Sequence, residues 1–333
     1  MVNDLLEVIV ESVVPRYGLG VSGVSPLDER SLLLDTNRGM KVLRIDTDEQ
    51  KVERRHALWE HFAKRGVRRI PRHIRTLYGD AFVVQGGHFY TVSDLWEGRV
   101  PDLDPHDVRH CGRHLAELHR AAKGLQLNEP IKLPMRHGTW MERFAQAGDE
   151  LHSRYCAWSE LRQKNRLQER FLTHYEWLAE QIARAVEGLS AGKYQDLSRR
   201  SEAECEFAIG DYRLRELRIG EAGRVAILHV DDAISDLPLY DAARFAHLLL
   251  ERGEQELARE FLDAYGEEAG MSEQQLIVLD AYLAFPHTAY RHLTQFRTMK
   301  RGDDLFAERF ERAVEVGRAR KPIVYGADGA RWM

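Results

Sequence analysis

The feature that most constrains the fold of this chain is a change of hydrophobic period near residue 104. Before that residue, short apolar runs alternate with turn-forming residues, which is typical of antiparallel strands joined by tight turns. After it, apolar residues recur at the spacing of long amphipathic helices. The 333 residues therefore predict a small β-rich part followed by a larger helical part.

The β-rich part predicts one sheet with a helix packed on it. Strands within residues 17–46 share a hairpin turn at Asn37-Arg38-Gly39, and two more strands surround Gly86-Gly87. Helices are predicted at about residues 2–13 and 49–65. The second helix carries an apolar stripe, which consists of Val52, Leu58, Trp59 and Phe62.

The second part has three features. Strand patterns at 205–209, 217–219 and 225–230 interrupt its helical pattern. The charged stretch 150–190 fits a lid, an insertion that binds an acceptor, or a solvated pair of helices, of which the pair is the simplest. The remaining helices are predicted at about residues 105–122, 139–148, 241–252, 254–266, 272–284 and 303–318.

Composition and charge restrict the functional class. With 44% hydrophobic and 30% charged residues, the composition is that of a soluble globular protein. The net charge of −5 gives no field that would attract nucleic acid, so no nucleic-acid partner is expected. The segment KRGVRRIPRHIR, residues 64–75, is locally basic, but Pro71 argues against one long basic helix. We interpret this segment as a solvated face followed by a turn.

The cysteines and the N-terminal stretch indicate the cellular compartment in which we expect the chain to be made. Cys111, Cys156 and Cys205 lie far apart without the spacing of a disulfide framework or a zinc site, which fits a reducing cell interior. Acidic residues within the N-terminal apolar stretch argue against a signal peptide. Since no window reaches the roughly 18 apolar residues of a membrane span, we expect cytoplasmic synthesis and no membrane span.

Seven segments in a fixed order carry a resemblance to a known family. The segments are LLLDTNRGMKVLRI, GVRRIPRHIRTLYGDAFVV, FYTVSDLWEGRV, HLAELHRAAKG, AIGDYRLREL, VAILHVDDAISDLPLYDAARF and LAFPHTAYRHL. On these segments the chain resembles the aminoglycoside and choline phosphotransferase superfamily, and within it the spore-coat, CotS-like branch. The resemblance implies an α+β, bilobal protein-kinase-like fold. Its N-lobe would span 1–95 and its helical C-lobe 96–333, with a strand-loop-strand catalytic region at 205–232.

The resemblance assigns catalytic and metal-binding positions, most of which carry unexpected residues. Asp211 stands at the position of the catalytic base, but Glu216 stands where the family has a metal-binding Asn. Counting without gaps from Asp211, the metal-binding Asp position is His229, a poor ligand for Mg²⁺. Asp231 or Asp232 could hold a divalent ion together with Glu216 from displaced positions, and Asp231, two residues after His229, is the better of the two.

The phosphate-binding lysine of the family also has no direct counterpart. Its position on the strand KVLRI is Arg44, while Lys41 falls on the opposite face. Arginine keeps the charge but is longer and forked, so the two residues are not interchangeable at a close-packed phosphate site. The glutamate that would pair with this position from the helix is either Glu53 or Glu60.

The remaining nucleotide-side residues lie in two loops. Gly20 and Gly23, in GLGVSGVSP, resemble a glycine-rich loop over phosphates, although a strand-to-strand turn needs glycines equally. Leu95 lies in the segment that corresponds to the hinge between the lobes.

Departures at the site within an intact fold pattern predict a kinase-like spore coat protein without phosphotransferase activity. By resemblance its partners are other spore coat proteins, and its destination, after synthesis in the mother cell, is the spore coat. No cofactor is expected. The alternative is an active enzyme that transfers phosphate from ATP to a small alcohol, using Asp211 as base, Asp231 and Glu216 for Mg²⁺, and Arg44 for phosphate.

Overall fold

The computed structural model describes residues 9–295 and 303–320, which form two compact units. The first unit comprises the residues up to Asp102 together with Glu117–Pro134 and Ile209–Ile234. The second comprises Leu103–Ala116, Met135–Ala208 and the residues from Ser235 onward. The division into lobes at residue 95 stays a prediction.

The first unit is built on a five-stranded antiparallel sheet with the order β1-β2-β3-β5-β4. Both predicted hairpins are confirmed, with Gly39 at φ 82° and Gly86-Gly87 at φ 58° and 77°, values that favour glycine. A cluster of buried aliphatic side chains with Tyr17 and Tyr90 forms its core. The strands are β1 Val21–Asp28, β2 Ser31–Thr36, β3 Gly39–Asp46, β4 Val83–Gln85 and β5 His88–Asp94.

Helix α1, Glu49–Lys64, follows β3 as predicted. Asp48 caps its N-terminus by accepting a hydrogen bond from the Lys51 backbone N–H at 3.1 Å. The predicted apolar stripe is buried, but the same face also carries the side chain of Arg55, which is only 3% exposed. A buried guanidinium needs partners, and these lie in the candidate site.

The short hairpin of the predicted catalytic region is present, but one predicted strand is wrong. Strands β6, Leu217–Ile219, and β7, Val225–Ile227, pair in antiparallel fashion. Residues 205–209 form no strand, because Cys205 has φ 51°, a left-handed conformation that an extended chain cannot accommodate. The third predicted strand ends at Ile227 rather than at residue 230.

The predicted N-terminal helix lies partly outside the described residues, at 2–8. Within the described part, Ile9–Val13 form a π-helical turn and Val14–Tyr17 a 3₁₀ turn, so the helix predicted to residue 13 is present there in π-helical form. The Tyr17 hydroxyl donates to the Tyr90 carbonyl at 2.5 Å, which ties this segment to β5.

The second unit is helical, as predicted. Stretch 150–190 forms a pair of helices, but the pair has a buried face and is not the solvated pair that was predicted. No helix within residues 9–295 and 303–320 is both long and apolar enough to cross a membrane. The three cysteines are free thiols. Together with the first unit these helices confirm the α+β class. They are α2 Pro105–Ala122, whose residues from Glu117 onward belong to the first unit, α3 Trp140–Ser159, α4 Arg166–Ala191, α5 Tyr194–Ala203, α6 Leu239–Glu251, α7 Gln255–Ala269, α8 Glu273–Ala284, α9 His287–Gln295 and α10 Asp303–Ala319.

Gly210 precedes Asp211 at φ 83°, and a Cβ on it would lie 1.9 Å from the Asp232 carbonyl oxygen. We expect Gly210→Ala to lower the free energy of unfolding by about 3 kcal/mol or more, from backbone strain and overlap together. Gly253 is the matched control, because it has the same φ of 83° but nothing within 4 Å of its Cβ position. Gly253→Ala should cost about 1–2 kcal/mol in the same denaturant titration. Equal costs would contradict the close packing at Gly210.

Candidate functional site

The centre of the site is a carboxylate held by two arginines, all within the first unit. Asp231 follows β7, and its Oδ1 accepts a hydrogen bond from Arg55 Nη1 at 3.0 Å. Its Oδ2 accepts from Arg44 Nη2 at 2.5 Å, and Lys51 Nζ lies 3.9 Å away. The side chain of Asp231 is only 10% exposed, so both oxygens are bound inside the protein.

A second aspartate, Asp46, completes the group of charged side chains around Arg55. Arg55 Nη2 donates to Asp46 Oδ2, and Arg44 Nε lies 3.5 Å from the same oxygen. The side chains of Arg55 and Asp46 are each 3% exposed. Arg44, Asp46, Arg55 and Asp231 are called the arginine–aspartate network below. Its charges balance within the protein, which is the condition under which buried ions are tolerated.

His229 extends the network toward Glu216. Arg44 Nη1 lies 2.8 Å from His229 Nδ1, and because a guanidinium can only donate, this nitrogen is the acceptor. The proton of the neutral ring therefore sits on Nε2, which lies 3.4 Å from Glu216 Oε2. Burial, followed by Arg44, lowers the pKa of His229 despite the two neighbouring carboxylates. At neutral pH the ring is an uncharged bridge between Arg44 and Glu216.

Asp211 lies in the loop before β6, with its carboxylate paired to Arg213 and 4.0 Å from Arg215 Nη2. Burial raises the pKa of Asp211; Arg213 opposes this shift, and Asp232 adds to it. The close approach of Gly210 to the Asp232 carbonyl places this loop directly against the segment that carries Asp231.

The predicted helix glutamates are not partners of Arg44. Glu60 binds Arg72 through both oxygens, at 2.6 and 2.8 Å, on the exposed side of α1. Glu53 is half-buried and takes no part in the network. Arg55 is instead the charged residue of this helix that faces inward, and it binds Asp46 and Asp231.

The predicted glycine residues do not form a turn or a loop over this site. Gly23 lies inside β1 opposite Asp35, next to a register shift of the strand pair. Gly20 precedes β1, where its N–H donates to Asn37 Oδ1 at 3.0 Å. The connection between β1 and β2 is Asp28–Ser31, without glycine, so both interpretations of this segment place the turn wrongly. The register shift next to Gly23 interrupts the alternation of the strand, and in the sequence such an interruption resembles a turn. The actual turn lies several residues later.

A pocket of about 590 Å³ adjoins the network. Val42 and Leu228 contribute apolar walls, residues 94–98 line one side, and Arg44 and His229 lie at the charged end. Leu95 lines this pocket as part of the predicted hinge, and its N–H donates to the Met40 carbonyl at 3.4 Å. Contact of Leu95, Gly20 or Gly23 with a nucleotide stays a prediction.

The two residues predicted to hold a magnesium ion, Asp231 and Glu216, do not fit it. The oxygens of Asp231 accept hydrogen bonds from Arg44 and Arg55, and Glu216 Oε1 accepts one from Arg215 Nε at 2.9 Å. A divalent ion would have to displace guanidinium groups and then remain among them. Within residues 9–295 and 303–320, one set of three side chains brings potential ligand atoms within 4.8 Å of one another. It is Asp104, His106 and Asp107, in the second unit.

Sequence reasoning missed Arg55 and Asp46. A signal for Arg55 is present, because the residue falls three positions after Val52 and seven before Phe62, on the apolar stripe of α1. A charged residue on such a stripe indicates a buried ion pair. For Asp46, at the end of β3, the pattern gives no comparable signal.

Comparison with protein families and curated proteins gives one match. The family described as "Spore coat putative kinase YutH" matches residues 11–314. No curated protein sequence matches the chain.

Solved structures share the fold. An aminoglycoside phosphotransferase from Alicyclobacillus acidocaldarius gives a TM-score of 0.76 at 16% identity, over 93% of each chain. A spectinomycin phosphotransferase solved with ADP and spectinomycin gives 0.58 at 11% identity, over 95% of this chain and 97% of its own. An aminoglycoside 2'-phosphotransferase solved with GDP gives 0.55 at 13% identity, over 95% and 98%. At these identities the likeness shows the fold alone, and it confirms the predicted kinase-like architecture.

Removing Arg55 should lower the free energy of unfolding far more than removing Arg72, an exposed arginine outside α1 that pairs with Glu60 of this helix. Arg55→Met removes one of the two guanidinium groups that pair with Asp46 and Asp231, so one buried negative charge is no longer balanced, and we expect a loss of about 3–5 kcal/mol in the free energy of unfolding. Arg72 is the control, because it makes a bidentate pair with Glu60 but its side chain is 53% exposed. Arg72→Met should cost less than about 1 kcal/mol. Similar losses in denaturant titrations of the two variants would contradict a structural role for the network.

The cost of Arg55→Met should depend on pH. Burial alone would raise the pKa of Asp231, but Arg55 and Arg44 hold it below its usual value. This stabilisation is present above the unfolded pKa, about 3.9, and is lost as the pH falls through the lower folded value. The gap between wild type and Arg55→Met should therefore be largest near neutral pH and narrow below about pH 4. A gap that stays constant between about pH 7 and 3 would contradict this assignment of the charge.

Proposed function

The chain belongs to the spore coat YutH family of kinase-like proteins, and we propose that it is a coat component whose kinase-like site no longer transfers phosphate. The protein would then act by binding other proteins of the spore coat through its surfaces. The family description supports the coat as its location. The phosphotransferase fold supplies the shape, and shape alone does not supply activity.

The observation that carries the proposal is the pairing of Asp231 with Arg44 and Arg55. Phosphoryl transfer needs a metal ion that bridges the phosphate oxygens and neutralises the developing charge. In this chain the carboxylate best placed to hold such an ion is bound by guanidinium groups. His229 supports the same conclusion, because its Nδ1 lone pair accepts from Arg44.

Arg44 itself is a further obstacle to catalysis. A phosphate-binding cation has to be available to the nucleotide, but three nitrogens of Arg44 face His229, Asp231 and Asp46. Its side chain is only 15% exposed. Release of this guanidinium would leave Asp231 partly unpaired, which costs free energy in a buried site.

The rival function is an active small-molecule phosphotransferase, and one observation favours it. Asp211 is half-buried with a raised pKa, a state that suits a general base. Against it, the carboxylate of Asp211 is paired with Arg213, which competes with an acceptor hydroxyl. The two functions differ in whether nucleotide binding requires a divalent ion.

Calorimetric titration with ATP, with and without Mg²⁺, tests the proposal on the full chain. We expect the affinity for ATP to change less than about twofold on addition of Mg²⁺, since the two carboxylates predicted to hold the ion, Asp231 and Glu216, are bound by arginines. Magnesium-dependent binding of ATP with a dissociation constant in the micromolar range would contradict the proposal and support the function of an active phosphotransferase.

Two variants sharpen this experiment. Arg55→Glu/His229→Asp introduces a carboxylate at the metal position and releases Asp231 Oδ1, so the affinity of the variant for ATP should rise on addition of Mg²⁺ if it remains folded. Asp211→Asn removes the base position and should leave the coat function of sporulating cells intact. Loss of that function, in a variant that is as stable as the wild type, would favour the enzyme.

A further inference from the structure

A small cavity lies among the helices of the second unit. Its volume is about 100 Å³, and side chains of α4, α6, α8 and α10 line it together with the first residues of α9. All of these lining residues belong to the second unit. Arg320, directly after the end of α10, forms one wall, and Gln181 of α4 and Thr288 of α9 contribute polar groups to other walls. We call this space the helical cavity.

Arg320 brings a positive charge to the helical cavity, and this charge has few partners. Its Nη1 donates to the Leu283 carbonyl at 3.4 Å, which is a long hydrogen bond. Its Nε is buried and has no hydrogen-bond partner among the described residues. Burial lowers the pKa of Arg320, but a guanidinium keeps its proton inside a protein. A buried charge that cannot be lost by deprotonation needs a counter-charge.

Glu251 is the acidic residue whose charge acts on Arg320, but its carboxylate also serves other groups. Glu251 Oε1 lies 3.2 Å from His247 Nε2 and 3.6 Å from Arg291 Nη2. Burial lowers the pKa of His247 against the opposing effect of Glu251, so the ring is neutral at neutral pH. One carboxylate therefore stands against two guanidinium groups, and positive charge is in excess.

A second pair of charged residues lines the cavity without adding net charge. Arg184 Nη2 lies 3.1 Å from Asp280 Oδ2, so the two charges balance each other. The side chains of Arg184 and Asp280 are 53% and 33% exposed, which gives a small ion a route from solvent into the cavity.

Two helix ends at the cavity leave this balance unchanged. Helix α10 ends at Ala319, and a helix C-terminus carries the equivalent of roughly half a negative charge. Helix α9 begins at His287, and a helix N-terminus carries roughly half a positive charge. The two contributions about cancel. The first N–H groups of α9 have no partner within their own helix, and such groups favour an anion.

We propose that the helical cavity binds a small oxyanion, either phosphate or a short carboxylate. The fork of the Arg320 guanidinium matches two oxygens of such an ion. Thr288 Oγ1 lies 3.2 Å from His247 Nε2, which carries the proton of the neutral ring, so the Thr288 hydroxyl proton is available to donate. The amide of Gln181 supplies a further donor. Since a cavity of about 150 Å³ can hold benzene, this cavity has room for a smaller ion.

A bound oxyanion would connect three parts of the second unit. Arg320 follows α10, Thr288 lies at the start of α9, and Gln181 lies on α4. An ion that binds the folded chain and not the unfolded chain stabilises the fold by mass action. The proposal depends on this cavity alone, and it holds whether or not the kinase-like site is active.

Thermal unfolding of the full chain at neutral pH tests the proposal. At constant ionic strength, replacement of chloride by about 20 mM phosphate or acetate should raise the midpoint by about 2–3 °C. The larger of the two shifts identifies whether a tetrahedral or a planar oxyanion is preferred. Calorimetric titration with the same ion should give a dissociation constant of about 1 mM or below. A midpoint that neither ion raises would overturn the proposal.

Arg320→Met separates binding in the cavity from a general effect of salt. This variant should lose the shift, while Arg312→Met should keep it, because Arg312 is exposed on the same helix and its loss changes the net charge equally. In chloride alone, Arg320→Met should unfold at a temperature no lower than Arg312→Met, since the removed charge lacked a counter-ion. A shift that persists in Arg320→Met, or a lower midpoint in chloride, would overturn the proposal.

Gln181→Leu tests the cavity with Arg320 in place. The change removes one donor and keeps a side chain of similar size, so the affinity for the preferred ion should fall about two- to tenfold. Circular dichroism establishes that the variant is folded. An affinity equal to that of the wild type in the calorimetric titration would contradict binding of the ion in this cavity.

Discussion

The contact between Arg55 and Asp231 is the interaction on which the rest of the site depends. It joins α1 to the segment after β7, and through Arg44 and Asp46 it also includes β3. Three elements that are distant along the chain are therefore fixed to one another by a few charged groups. Such a set is stable only when complete, because a buried ion that loses its partner is costly.

Because the charges of the arginine–aspartate network are paired within the chain, the network also determines what the site can do chemically. In a phosphotransferase the positive charge near the phosphates comes in part from metal ions, which arrive with the nucleotide. In this chain guanidinium groups that belong to the protein surround Asp231. A carboxylate satisfied by its own chain has little affinity left for an ion from solution. The departures at Arg44, His229 and Glu216 thus act together, through one hydrogen-bonded set.

Much of the fold, but less of the site, could be predicted from the sequence. Hairpins at Gly39 and Gly86-Gly87 and the stripe of α1 follow local rules of turn and period, which a single sequence displays. The strand at 205–209 failed because Cys205 adopts a left-handed conformation that apolar alternation does not reveal. Arg55 was missed because its partners come from other elements, and pairing across the fold leaves little trace in local patterns.

The close approach of Gly210 to the Asp232 carbonyl has a consequence for how kinase-like sequences are interpreted. Any side chain at this position would collide with the neighbouring backbone, whatever chemistry the loop performs. Steric selection alone would therefore keep a glycine in front of Asp211 long after phosphoryl transfer had been lost. A Gly-Asp pair in such a loop therefore indicates that the fold has been kept, and it does not indicate whether the activity has been lost.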